Sequence, residues 1–285
     1  MGTLRVLRRR IRSVEKIRQM TKAMEMVAAS RLRRAQAKAL ASRPYAVRIT
    51  EMLANLSGAA AELNHALFEV REVRSTALVL VTSDRGLCGA FNANLLRAAE
   101  HRLSAGPPGS VKLYLVGRKG RDHFSRRRFP VVEARTPVPA EARLDFAREL
   151  TQDLIGRFVS GEVDRVELMF TRFISMLRRR VVTETFLPVG GDREEEAAGR
   201  GAVIFEPNAA SIFDELLPRY AAATLFAALA DSLAAEHSAR MIAMGSARKN
   251  AGELIDLLVL QRNRLRQAAI TKELLDIVGG AEALR

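Results

Sequence analysis

Apolar positions in this chain follow a helical rhythm at both ends and a strand rhythm between them. From Leu4 they recur at Leu7, Ile11 and Val14 in alternating steps of three and four, the spacing of a helix that buries one stripe. The phase slips at Ile17 and resumes through Met20, Met24 and Val27, a three-residue slip that predicts local overwinding of a coiled coil. Ala28, Leu32 and Ala35 continue the stripe, and Tyr45, Ile49, Met52 and Leu56 repeat it. Pro44 lacks an amide donor and is expected to kink or interrupt this arm near Ala41, and Ser57-Gly58 marks a natural end.

A second helical arm is predicted after Asn208, a capping residue preceded by Pro207, with an early bend at Pro218. Beyond Pro218 only Gly245 and Gly252 weaken the pattern, each by about 1 kcal/mol relative to alanine. At ~1.5 Å per residue that stretch reaches roughly 90 Å. Ala251, Leu254, Leu258, Gln261, Leu265, Ala268, Lys272 and Leu275 mark its expected seam, with Gln261 and Lys272 as polar members. A helix that long needs a partner. The first arm, running antiparallel, is the natural one, because both arms are rooted in the same middle segment.

Between the arms the rhythm changes. "TALVLVT" (76–82), "VKLYLV" (111–116), "FPVVE" (129–133) and "RVELMF" (165–170) read as buried strands, and "RVVTETFLPV" (180–189) alternates like an edge strand. Helices fit at 91–104, 117–125 and 141–159. Alternating strands and helices imply a mainly parallel sheet with helices on its faces. The fold class expected is therefore a long antiparallel two-helix coiled coil formed by the terminal arms, with an inserted Rossmann-like α/β domain. The corresponding division is 1–60, 75–205 and 208–285. "GGDREEEAAGRG" (190–201) is a glycine-rich acidic loop, either a plain connector or a contact site.

Charge sharpens this picture. Residues 1–50 carry 11 Arg and 3 Lys against Glu15 and Glu25, so this one element holds most of the net +14 of the chain. Positive charge concentrated on one helix points to an acidic partner, with a merely solvated face as the plainer alternative. The basic segment has one aromatic, Tyr45, too few for the stacking platforms of single-strand nucleic-acid binding, although duplex binding through phosphates stays open. No apolar run is long enough to span a bilayer. The single cysteine, Cys88, excludes an intrachain disulfide and fits a reducing compartment.

Candidate chemistry is sparse. "SDRGLCGAFN" (83–92) places Gly86 and Gly89 between a strand and a helix, where an anion can be held, but neither the dinucleotide fingerprint nor the phosphate-loop pattern is there. Arg85 near Cys88 makes a lowered thiol pKa conceivable, while a packed small residue is the better reading. His65, His101, His123 and His237 lack metal-ligand spacing. No catalytic, cofactor or metal residues are assigned.

"MTKAMEMVAASRLRRAQ" (20–36), "SRPYA" (42–46), "TSDRGLCGAFN" (82–92), "AGELIDLLVL" (251–260) and "QAAITKELLDIVGGAEAL" (267–284) resemble the γ subunits of F-type ATP synthases in order and spacing. The resemblance implies a central rotary shaft with no nucleotide chemistry of its own. It implies α and β subunits, an ε subunit and a membrane c-ring as partners, and a peripheral position on the cytoplasmic face of a bacterial inner membrane, with no nucleic acid. By motif match Arg31 and Arg34 would face acidic segments of β, with Lys22, Met24 and Val27 near the helix crossing. Gln267, Thr271 and Glu273 would lie near the distal shaft, and Phe205 at a foot approaching the c-ring. Ordinary packing or solvation is the alternative at each. Arg248 and Lys249 stand where relatives commonly carry an acidic residue, and "SRRRFP" (125–130) and "LRRR" (177–180) make the middle unusually basic.

Overall fold

A computed structural model describes residues 2–60, 65–107, 109–127, 129–190 and 209–282. The elements run α1 (Gly2–Ala60), β1 (Thr76–Val81), α2 (Phe91–Ser104), β2 (Val111–Val116), α3 (Arg118–Phe124), β3 (Val131–Arg135), α4 (Leu144–Val159), β4 (Arg165–Phe173), β5 (Arg179–Leu187) and α5 (Ala209–Glu282). Packing divides the chain into two units, residues 1–27 with 241–285, and residues 28–240.

The larger unit is built on a five-stranded sheet ordered β3-β2-β1-β4-β5. The first four strands are parallel, and β5 pairs antiparallel at the edge of β4, as its alternating sequence predicts. Strand β1, "TALVLV", is buried at every position because both faces of the sheet are covered. Ala77, Val79 and Val81 pack on one face with Ala147, Leu150, Leu154 and Phe158 of α4 and with Phe213 to Leu229 of α5. Leu78 and Leu80 pack on the other face with Phe91, Leu95 and Ala99 of α2, Phe124 of α3, and Ala235 and Ala239 of α5. Each large side chain so buried contributes about 1.5–3 kcal/mol. A fixed charge pair borders these apolar layers. Glu167 of β4 accepts two 2.8 Å hydrogen bonds from Arg102 of α2, the fork geometry that makes a buried pair tolerable.

Gly117 shows why one glycine is required here. It has φ of 102°, and a Cβ there would stand 2.2 Å from the Thr82 carbonyl oxygen. That close approach lets the Thr82 hydroxyl donate to Val116 O and accept from the Gly120 amide, joining the ends of β1 and β2 to α3.

The smaller unit is a pair of antiparallel helices. Leu7, Ile11 and Val14 of α1 pack with Ala251, Ile255 and Leu258 of α5, while Glu25, further along α1, meets Arg248 and Gly245, earlier along α5. Three expectations change here. First, α1 has no phase slip: burial recurs at Leu7, Ile11, Val14, Thr21, Ala28 and Leu32, steps of 4, 3, 7, 7 and 4 that keep a single heptad register. Polar residues hold the seam where hydrophobic ones were expected, because Thr21 donates its hydroxyl to the Ile17 and Arg18 carbonyls and Glu25 is paired with Arg248. Ile17, Met20 and Val27 are 44%, 58% and 52% exposed instead. Second, α1 runs through Pro44 as one helix, without interruption near Ala41. Third, the α5 seam passes through Ile255 and half-buried Arg262, while Leu254 and Gln261 face outward. The apolar cluster "LIDLLVL" (254–260) is too dense for spacing alone to pick the inward side.

Candidate functional site

Ligand sites of open α/β sheets lie outside the carboxyl ends of the strands, at the point where strand order reverses. Here that point, between β1 and β4, is filled by protein. Arg240 of α5 donates 3.3 Å hydrogen bonds to the carbonyls of Arg85 and Gly86 and pairs with Glu236 at 2.6 Å. The loop therefore turns carbonyl oxygens toward a cation, the opposite polarity from a phosphate cradle. Inside it, the Ser83 hydroxyl donates to Arg85 O, and Asn92 reaches both Ser83 and Cys88. Cys88 is buried, and burial pushes its thiol pKa up. This corrects the idea of a lowered one: the packed-residue reading holds.

The stretch of α5 facing this loop is closed in on nearly all sides. From Ala228 to Arg240 every residue except half-buried Asp231 is buried. Alanines at 228, 230, 234, 235 and 239 let neighbouring backbones approach, and the charges of Glu236 and Arg240 satisfy each other. Burial, followed by the fields of Arg240 and Arg31, pushes the His237 pKa down to about 4. Glu236 shifts upward, again chiefly by burial. Sequence reading missed this cluster. Its signal was an i, i+4 Glu–Arg pair inside the alanine-rich run "LAAEHSARMIAM" (233–244).

The residues singled out from sequence are not brought into one pocket. They are dispersed along helix surfaces. Lys22 is exposed and Met24 half-buried on α1, beside bare Ile17, Met20 and Val27. Arg31 is half-buried, close enough to Glu236 and His237 to act on both electrostatically. Arg34 is exposed and meets Glu141 at 3.1 Å, a carboxylate also held by Lys38 at 2.7 Å. Lys38 and then Arg34 keep the Glu141 pKa below its ordinary value. Gln267, Thr271 and Glu273 are all exposed on distal α5, along with Ile270, Leu274, Leu275 and Ile277 at 50–68%. Phe205 and the loop 190–201, apart from Gly190, lie outside the described residues.

A helix pair with bare apolar and charged faces, and a sheet domain whose ligand crevice is plugged, suit a mechanical part better than an enzyme. Comparison with known proteins agrees. The family model described as ATP synthase matches residues 3–284. The ATP synthase gamma chain of Desulforamulus reducens is 45% identical over the full length of both chains, and that of Moorella thermoacetica is 44% identical, also over full length. The chain belongs to the γ-chain family of F-type ATP synthases.

As a γ chain it is a non-catalytic, central-stalk subunit of the rotary enzyme. A chain of the Euglena gracilis mitochondrial ATP synthase, in a structure of its OSCP, F1 and c-ring, matches with a TM-score of 0.72. The identity is 19%, covering 99% of this chain and 95% of that one. A chain of the Tetrahymena thermophila central stalk and c-ring matches with a TM-score of 0.64 and 24% identity, over 80% and 99%. These two likenesses establish the shared fold. The nucleic-acid reading gains no support from the relatives. The complex is membrane-associated, and no helix among the described residues of this γ chain is long and apolar enough to cross a bilayer.

Proposed function

We propose that this γ chain couples ion flow through a membrane c-ring to ATP synthesis or hydrolysis at β-subunit sites by presenting unlike surfaces to three equivalent catalytic subunits. The observation that carries this is the bare distal part of α5. From Arg266 to Leu275 every residue is exposed, and the large hydrophobics there are left at least half bare by the described residues. Such a face is expensive in water unless a partner encloses it. In this reading Gln267, Thr271 and Glu273 meet the β subunits at the distal end. Lys22, Met24, Arg31 and Arg34 meet acidic β segments lower down, and Phe205 approaches the c-ring.

The physical logic is differential contact. A shaft that touched each β subunit alike would shift no equilibrium, however tightly it bound. A helix pair is intrinsically asymmetric, so each rotation step exchanges one set of contacts for another and moves nucleotide affinity with it. The Arg34–Glu141 bridge is exposed and screened by solvent, so a β carboxylate can take Glu141's place at little cost. An ε subunit beside the sheet domain and a place on the cytoplasmic face of a bacterial inner membrane complete the proposal, and the bacterial relatives support the latter.

The test is native mass spectrometry of this chain co-expressed with the α, β and ε subunits of its own genome, with ATPase measured on the same sample. A particle with three α, three β and one γ that hydrolyses ATP supports the shaft. Folded partners that assemble without this chain would refute it.

A further inference from the structure

The tip of the β4–β5 hairpin combines bare hydrophobic side chains, surplus positive charge and a rigid mount. Ile174, Met176 and Leu177 all lie at its apex, and Leu177, at 79%, is the most exposed large hydrophobic among the described residues. Arginines follow at 178, 179 and 180, and no acid occurs from Arg172 to Arg180. In the strand register Arg172 lies directly opposite Arg180, a like-charge pair that disfavours the hairpin. Arg172 is compensated by Glu184 and, at 4.0 Å, by Asp231. Arg178 and Arg180 have no carboxylate partner among the described residues.

This tip is held still. The amides of Ile174 and Ser175 both donate to the Arg178 carbonyl, and the Ser175 hydroxyl accepts from the Arg178 amide. Ser238 of α5, fully buried, donates its hydroxyl to the Met176 carbonyl at 2.6 Å, and Arg179 donates to both Met176 O and Ser238 Oγ at 3.1 Å. The apex is thus tied at its centre to the long helix, so any force on Leu177 passes directly into α5. Rigid apolar anchors flanked by uncompensated charge are the features of a preorganised protein-binding surface. A fluid bilayer would demand no such fixed geometry, and three apolar side chains provide little area for insertion.

We propose that the hairpin tip, Ile174 to Arg180, docks an acidic amphipathic helix of a neighbouring subunit in the assembled enzyme. Leu177 and Met176 enter its apolar face, and Arg178 and Arg180 meet its carboxylates. The partner's charge relieves the repulsion between Arg172 and Arg180 that the isolated chain tolerates. This rests on the rotor reading above, which supplies the neighbouring subunits.

The experiment replaces Leu177 with the photocrosslinker p-benzoylphenylalanine in the enzyme co-expressed with its own α, β and ε subunits, and maps the adducts by peptide mass spectrometry. The expected adduct lies on an acidic helical segment of a partner subunit. Its yield should fall about tenfold in the Arg178→Glu, Arg180→Glu double variant, as loss of two rim charge pairs allows. The milder Arg178→Gln, Arg180→Gln variant should give an intermediate yield, and serves if the reversal prevents assembly. Adducts with lipid, with a second copy of this chain or with a segment lacking acids would overturn the proposal, as would no adduct or a yield insensitive to charge. If the unlabelled chain itself stays out of the complex, the rotor reading fails, and this proposal with it.

Discussion

Between Ala228 and Arg240, α5 turns almost every side chain inward; between Arg266 and Leu275 it turns none. The same helix thus does two jobs under two sets of constraints. In the first stretch small residues and a satisfied Glu–Arg pair let the sheet domain close around the helix, so sequence there is dictated by packing. In the second stretch apolar residues stay bare, and their retention makes sense against a surface that the described residues do not provide. The contrast separates residues that hold the molecule together from residues that act on others.

Substitutions can sharpen this contrast, beginning where the fold has least tolerance. Gly117→Ala puts a Cβ 2.2 Å from the Thr82 carbonyl at a backbone angle alanine rarely adopts. It is expected to cost about 4 kcal/mol or more in urea unfolding. Leu225→Ala, at a fully buried position of α5 three residues before the enclosed stretch, is expected to cost about 2–5 kcal/mol by the same assay.

His237 gives a pH signature of the enclosed stretch. The unfolded chain takes up its proton near pH 6.5 and the folded chain only near pH 4, so between those values the unfolded state binds more protons. Stability from this residue is full above pH 6.5 and is lost as pH falls toward 4, by up to about 3 kcal/mol. Glu236, shifted upward, acts in the opposite sense as pH rises above its ordinary value, so the informative quantity is a difference. The stability advantage of the unaltered chain over His237→Gln should shrink steadily from pH 6.5 to pH 4. A constant difference would show that the imidazole is not held neutral by burial.

In the two-helix unit, Glu25→Gln removes the carboxylate that Arg248 grips at 2.8 Å. Both groups are partly exposed, so a loss of about 1 kcal/mol or less is expected. Smallest of all, Ile270→Ala with Leu274→Ala should leave the melting of the isolated chain within about 0.5 kcal/mol of the original, since neither side chain is covered.

How far the sequence alone reveals these regions follows the same division. The strands were legible because β1, β2 and β4 are short apolar runs between turn residues, and α2 was read to its observed limits of 91 and 104. The arms were legible as helices, but their inward faces were not. In α1, Thr21 and Glu25 enter the seam because local hydrogen bonds and Arg248 satisfy them, a fact that hydropathy does not carry. In α5, crowded leucines offer several equivalent faces. The plugged crevice was hidden as well, because Arg240 reaches Arg85 and Gly86 across more than 150 residues of sequence. The hairpin tip had a signal, the run "LRRR", which shows its meaning only once Ser238 is seen holding the apex in place.

The central claim is that distal α5 serves partners and not the fold. Truncation before Gln267 tests it in a single pair of measurements: the thermal melt of the chain, and ATP-driven ion uptake per ATP hydrolysed in vesicles carrying the assembled enzyme. The account predicts a melt that stays cooperative and in place, with uptake per ATP clearly reduced. Loss of the cooperative melt would mean that the bare helix holds up the fold after all, and unchanged uptake would mean that it does not engage the catalytic ring.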